Sequence, residues 1–548
     1  MQSKSTDDAV VGMKPSLMPG DVIANLRRKR LIGRCMIAGV ALVLLALFTR
    51  VMSEPLRHDE HIALANGWLY GRFALYRQIS YAHLPNLPIL LSLALHATGG
   101  AYKFLVARLI TFICWCAFLY AFSSVVWRIS KDTQTTALAV LLIVTNSLFV
   151  EYEAMLIAVH LFPICFASFG FLFFIVATEN GRARPIFVFL AGLFLSIAVG
   201  FKANYLVVVP PFAIAAFFVP QSLSLAQRIW RVVVPLALGG VIGGLPTLYY
   251  FLNHTDAFLF DVLGYFLGPQ RAYWSAPENA ATVTGLNLTS RVLNGYRLWT
   301  AGSTLLIIVM IIYCCAEMVM SSNYAEIKRR LASWPLLVSL AAAILGITVA
   351  FVIAPSFPQY FMPPIPFAVL LLVCLLAGRS DEQRRRSRPL LATMTIATAI
   401  LGGPTLFQDL PNIVKPSAWE GFGVHKIAMQ IRGEFGPRRE KIRIATLSPI
   451  YALESGLDLY PELASGGFYY RIGDLLSPAQ RTAFGITSPK TVGELLEREP
   501  PDGILVGYEG VLDKPLVRFA VAHNYRRVEK LIGHDRYGAG VLFIKPGE

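Results

Sequence analysis

At 548 residues, 55% of them hydrophobic and with a mean hydropathy of +0.55, the chain is too apolar for an ordinary soluble globule and reads as a polytopic membrane protein. Its 49 Lys and Arg against 34 Asp and Glu leave a net charge of +15. Nucleic-acid binding is set aside, because no basic stripe falls on a soluble segment; the charge fits cytoplasmic loops facing anionic membrane lipid. The seven cysteines (Cys35, Cys114, Cys116, Cys165, Cys314, Cys315 and Cys374) all lie in or beside apolar runs, which suits packing and argues against disulfides or a zinc site.

In chain order, residues 1–30 form a cytoplasmic basic N-terminus, expected to be disordered as far as Ala24 and ending in Arg27-Arg28-Lys29-Arg30. Residues 31–52 are too long and too poor in small residues at their end for a cleaved signal peptide, so they form a retained first span. The stretch 53–88 then carries adjacent carboxylates, Asp59 and Glu60, where a chain leaving the bilayer first meets water. Ile62, Ala63, Asn66 and Tyr70 follow Asp59 at helical spacing, which predicts a short helix along the membrane surface with Asp59 in its first turn. The helix N-terminus favours the ionised acid there. Gly67 and Gly71 loosen or end that helix, and Pro85 and Pro88 break the chain again. Residues 88–97 are too short to cross the bilayer and read as a re-entrant or interfacial helix.

Ten further apolar runs thread alternately through the bilayer with every strongly basic loop on one side: 103–126, 135–150, 155–178, 185–201, 205–219, 232–252, one descending to Lys328-Arg329-Arg330, 334–354, 361–378 and 390–407. The expected fold is therefore mainly α, a polytopic membrane helix bundle of about 11 spans over residues 31–407. Residues 253–299 form a longer external loop. From 408 to 548 the composition turns globular. Strands are expected at 442–447, 503–506, 525–532 and 541–544, with helices at 491–498 and 514–523, giving a small extracytoplasmic α/β domain. It shows no Gly-rich phosphate loop, metal spacing or nucleophile motif, and Ser465-Gly466 and Asp502-Gly503 read as turns. Its role is support for the bundle, or capping and acceptor docking.

The Asp59-Glu60 pair just after the first span, then Ala63-Leu64-Ala65-Asn66-Gly67, Gly71 with Leu75-Tyr76-Arg77, and a proline-containing approach to the next apolar run resemble the first extracytoplasmic loop of the GT-C glycosyltransferases. The likeness is to the protein-mannosyltransferase and aminoarabinose-transferase-like branch, with its rhizobial lipid A galacturonosyltransferase-like members. It implies a bacterial inner-membrane enzyme of GT-C-like fold. Such an enzyme would move a single sugar, with inversion, from a polyprenyl-phosphate donor to an extracytoplasmic glycolipid, glycan or protein acceptor. In that family the acid at the place of Asp59 is the catalytic base.

Transfer of this kind needs a base for the acceptor hydroxyl and a group to stabilise the departing phosphate. Asp59 suits the first role, with Glu60 as electrostatic partner expected to raise its pKa; alternatively the pair caps a surface helix. Lys202, between two apolar runs, is either a phosphate clamp or an interfacial lysine. Glu151 and Glu153 occupy a short loop where family members carry an acid, and they either orient sugar hydroxyls or are solvated loop charges. His83, at the start of His83-Leu84-Pro85-Asn86-Leu87-Pro88 where many members have Lys-Pro-Pro, and Tyr76 are further substrate-side candidates. Arg271, Tyr273 and Trp274 suit sugar stacking and phosphate recognition or an interfacial belt. Tyr360, in Pro358-Gln359-Tyr360-Phe361, either contacts substrate or opens a proline-kinked helix. His160 is expected to be a packed histidine two turns into a helix. No cofactor is implied. A divalent metal is left open, with a single acid pair and no clear triad weighing against a tightly held ion. A transporter or flippase of lipid-linked sugars, or a surface-polysaccharide polymerase or ligase, are the rival readings; no internal repeat and no late catalytic loop supports them.

Overall fold

A computed structural model describes residues 19–280, 283, 285–321, 324–436, 442–530 and 532–547. The first helix, α1, runs from Pro19 to Ser53, so residues 19–24, expected to be disordered, are helical; the rest of that stretch, residues 1–18, lies outside the described residues. After it come α2 (His58–Leu69), α3 (Asn86–Ala97), α4 (Lys103–Ser130) and α5 (Thr133–Val144). Among the described residues eight helices are long and apolar enough to cross a membrane, against the expected number of about 11. Residues 133–144, 185–201 and 203–218, where three more spans are expected, form shorter apolar helices, as does α3. At about 1.5 Å per residue α3 is ~18 Å long, well short of the ~30 Å hydrocarbon core.

The bundle packs tightest where side chains are smallest. Helices Pro185–Phe201 and Val234–Asn253 meet backbone to backbone: a Cβ on Gly192 would lie 2.0 Å from the Leu236 carbonyl oxygen, and one on Gly239 would lie 2.0 Å from that of Phe189. Such close approach is how helices associate without a hydrophobic driving force between them. Two expected segments change shape. The helix expected from residue 155 begins at Leu161, and residues 153–160 instead form a turn and loop. The region 253–299 is largely helical, ending in the amphipathic Leu288–Trp299.

Among the described residues the C-terminal domain holds six strands, β1 (Arg443–Thr446), β2 (Asp458–Leu459), β3 (Gly503–Val506), β4 (Arg526–Arg527), β5 (Ile532–His534) and β6 (Ala539–Ile544). They run in the order β2-β1-β3-β6-β4, with β5 also on β6. Strand β1 is parallel to β2 and β3, and β6 runs antiparallel to β3 with Ile504 opposite Phe543. The expected strand over 525–532 is thus two short ones. Buried Leu496, Ile504, Leu516 and Phe543 fill a core between sheet and helices. The opposite side of the domain rests on the bundle, and its loops close over α2.

Candidate active site

The site begins at the N-terminus of α2. Arg57 is extended (φ −124°, ψ 159°), and its backbone N–H donates to Glu60 Oε2 at 3.2 Å, which fixes the first turn. Neighbouring residues on a helix point about 100° apart, so Asp59 and Glu60 part company. Asp59 faces a cavity of about 540 Å³. Glu60 turns into the protein, where it accepts two 2.6 Å bonds from Arg108 Nε and Nη2 and a third from the Ile157 N–H at 3.1 Å. Arg108 in turn donates to the Val51 carbonyl at 2.6 Å. Both members of this pair are 0% exposed. Glu60 therefore does not line the cavity with Asp59; it ties the loop to α1 and α4, because only one face of this turn can look outward.

Asp59 is joined in the cavity by side chains from three other segments. His160, which caps helix Leu161–Thr178 and does not sit two turns inside it, places Nε2 3.9 Å from Asp59 Oδ2. Lys202, capping helix Pro185–Phe201, donates from Nζ to His160 Nδ1 at 2.9 Å and lies 5.0 Å from the centroid of the Tyr360 ring. Glu153 is 3.7 Å from Arg57, and its Oε2 is buried with no hydrogen-bond partner among the described residues.

These neighbours sort the protonation states. Burial opposes ionisation of Asp59, but the His160 contact and the charge of Lys202 outweigh it and hold the carboxyl below its ordinary value. The rise expected from desolvation and the Glu60 charge is reversed: burial acts as expected, but Glu60 is turned away onto Arg108 while His160 and Lys202 face the carboxyl. Glu153 is pushed well above the carboxylate range by burial and by the nearby Asp59 charge. Burial and the Lys202 charge bring His160 down to about 4 and His83 to about 3. Lys202 falls to about 7 through burial, opposed by Asp59 and Glu153. At neutral pH the imidazoles of His83 and His160 are neutral and Lys202 stands near its titration point.

Asp59, Glu153 and His160 each direct a ligand atom to a common point, all within 4.8 Å of one another. Oxygen and imidazole donors of this kind suit a divalent cation, and binding one would require Glu153 to give up its proton. The triad that spacing in the sequence does not show is thus assembled from α2, the loop after α5 and a helix cap.

The other candidates divide. His83, Tyr273 and Tyr360 line the cavity. Tyr76 does not: it is fully buried, and its hydroxyl donates to the His83 carbonyl at 2.8 Å, so it supports the loop from behind. Glu151 is exposed outside the cavity, with its backbone carbonyl taken by Arg57 Nη2 at 2.9 Å. Arg271 is exposed and does not line the cavity either. The guanidinium beside Tyr273 and Trp274 comes instead from Arg471 of the C-terminal domain, with Cζ 4.7 Å from the Trp274 ring, 5.0 Å from Phe468 and 5.4 Å from Tyr273. Ser465-Gly466 also exceeds a turn signal, since both residues line the cavity and a Cβ on Gly466 (φ +57°) would meet the Leu447 carbonyl oxygen at 2.6 Å. Glu509 and Tyr537 complete this wall. The sequence carries no signal for it beyond the Ser465-Gly466 turn, because its residues are far apart in the chain.

No family model and no curated protein matches the sequence. Among solved structures, ArnT from Cupriavidus metallidurans, an aminoarabinose transferase, superposes in its apo state with a TM-score of 0.58 at 10% identity, covering 94% of this chain and 100% of that one. The same protein bound to undecaprenyl phosphate gives 0.53 at 11% identity over 94% of this chain and 99% of that one. An oligosaccharyltransferase from Archaeoglobus fulgidus gives 0.44 at 11% identity, with 93% and 74% covered. The chain is a multi-pass membrane protein with the fold of the GT-C glycosyltransferases.

Proposed function

We propose that the protein is a glycosyltransferase that moves one sugar from a polyprenyl-phosphate donor to an acceptor hydroxyl on the extracytoplasmic side of a bacterial inner membrane. The observation that carries the reading is the cavity in which Asp59 faces the buried amine of Lys202 through His160. The solved ArnT with undecaprenyl phosphate bound supports the donor class. In this reading the three shorter helices also cross, and the cavity and C-terminal domain lie outside.

Asp59 takes the proton of the acceptor hydroxyl as its oxygen attacks the anomeric carbon of the donor sugar from the face opposite the phosphate. The bond from that carbon to the phosphate oxygen breaks, and its electron pair leaves with the lipid phosphate. Inversion follows from a single displacement. Lys202 meets the charge that builds on the leaving phosphate, in a site where burial makes the interaction strong. Glu153, which burial and the Asp59 charge push toward its protonated form, donates to a sugar or phosphate oxygen, and Tyr273 and Tyr360 provide apolar faces for the sugar and the first prenyl unit. A divalent ion at Asp59, Glu153 and His160 would supply Lewis-acid stabilisation of phosphate.

The test compares envelope glycolipids and glycans by mass spectrometry in cells with the wild-type protein, with none, and with Asp59→Asn. A single-sugar mass increment should vanish in the last two, a loss of at least about 10²-fold for removing a general base. A glycan lost in the null but kept with Asp59→Asn would sink the assignment of Asp59 and favour a carrier of lipid-linked sugars.

A further inference from the structure

The C-terminal domain reaches α2 at its catalytic end. His58, next to Asp59, has Nε2 3.0 Å from Glu509 Oε1, within ion-pair reach though out of line for a hydrogen bond. Its ring lies against that of Tyr537, centroids 3.8 Å apart, and its backbone N–H donates to the Tyr537 hydroxyl at 3.3 Å. One turn on, His61 Nδ1 accepts from the Ile450 N–H at 3.3 Å, and then Asn66 Nδ2 donates to Ser465 Oγ at 3.3 Å. The two gripping residues are themselves anchored. Asp513 accepts from the backbone N–H of Glu509 at 2.9 Å, and Asp535 accepts from those of Tyr537 and Gly538 at 2.8 and 3.1 Å.

The grip adds to the contacts that Arg57 and Glu60 already give the first turn of α2. A helix start leaves its first backbone N–H groups without intrahelical partners, and here one of them is taken by a tyrosine of another domain. On the bundle side this turn is held by Glu60 on Arg108 and by Arg57 on Glu54 and the Glu151 carbonyl, and a displacement of about 1 Å at a catalytic group costs up to ~10²-fold in rate. The sequence separation between His58 and Glu509 makes the contact a product of the whole fold.

We infer that Glu509, assisted by Tyr537, is a positioning residue for Asp59, so that the C-terminal domain sets the geometry of the base and is more than a support for the bundle. The inference rests on the reading of Asp59 as the base. Glu509 also lines the cavity, so its loss has two distinguishable consequences. A residue that positions the base lowers kcat with KM for the lipid donor held, whereas one that binds substrate raises KM.

The experiment uses full-length protein in nanodiscs, with polyprenyl-phosphate sugar and envelope glycolipid as substrates, and pairs kinetics with amide hydrogen exchange over residues 57–69. Glu509→Ala should lower kcat on the order of tenfold, leave KM for the donor within about twofold, and raise exchange at the start of α2. Glu509→Gln, which keeps the shape and an acceptor oxygen, should recover most of the rate and the protection. Tyr537→Phe, which keeps the ring face and loses the hydroxyl, should fall in between; both are close to isosteric, so a misfolded alanine variant does not leave the question open. Wild-type kcat and exchange in Glu509→Ala would overturn the inference, as would a change in KM alone. If the wild-type protein yields no product, the transferase reading fails, while the exchange measurement still decides whether Glu509 holds α2.

Discussion

The cavity has two halves built on opposite terms. The bundle half, with Asp59, Glu153, His160 and Lys202, gathers titratable groups at helix caps and loop turns, where burial moves three of them far from their ordinary pKa values. The C-terminal half, with Arg471, Glu509 and Tyr537, offers groups already held by aromatic faces or by backbone-anchored carboxylates. Reactivity and rigidity are thus supplied by different parts of the chain, and α2 is where they meet. Perturbed groups cluster where chemistry needs them, and a well-fixed frame keeps them in register.

The sharpest way to break the comparison is to cut the tie behind the proposed base. Arg108→Ala leaves the carboxylate of Glu60 buried and without its guanidinium, which costs about 3–5 kcal/mol for a pair of this kind. The variant should lose thermal stability and accumulate poorly in the membrane. Asp59→Asn, one residue from Glu60, should accumulate normally. Equal accumulation of the Arg108 and Asp59 variants would mean that the two faces of this turn are not divided between stability and chemistry.

Lys202 comes next. Lys202→Met should lower kcat on the order of 10²- to 10³-fold, as loss of a charge aimed at a leaving group does. Its pH dependence carries two signs. With a folded-state value of about 7 against 10.5 for the free side chain, the unfolded chain binds more protons between those values, so this group makes stability rise with pH across that window. In the proposed reaction the ammonium is the active form, so kcat/KM should fall as pH rises through about 7. Bound donor phosphate favours the charged form, so the same limb in kcat should lie higher. A falling limb that survives Lys202→Met would assign it to another group.

What the sequence discloses follows from how local each feature is. The membrane class, the helix at Asp59 and the strands of the C-terminal domain come from composition and periodicity within short windows. Asp59 stands out because an acid pair at the end of an apolar run is costly. The division between Asp59 and Glu60 is not visible, since it depends on Arg108 arriving from α4. His160 is misread because its helix begins later than the apolar run does, after a loop that turns Glu153 and His160 toward the same point. Arg471 is invisible for the same kind of reason: nothing near it in the chain marks it, and its partners Tyr273 and Trp274 lie in a different domain.

Arg471 also gives the smallest of these effects and the most specific. Its guanidinium is framed by three rings, and its Nε and the Trp274 Nε1 are buried without hydrogen-bond partners among the described residues. A planar, delocalised cation stacked on aromatic faces differs from an ammonium in shape and hydration, so lysine is not a conservative replacement. Arg471→Ala should raise KM for a substrate on the order of tenfold with kcat little changed, about 1.4 kcal/mol of uniform binding. Arg471→Lys should restore only a small part of that loss, and steady-state kinetics in each substrate separately would show which one it holds. Full recovery by lysine would mean that charge alone matters at this wall, and the aromatic frame would then be packing and no part of recognition.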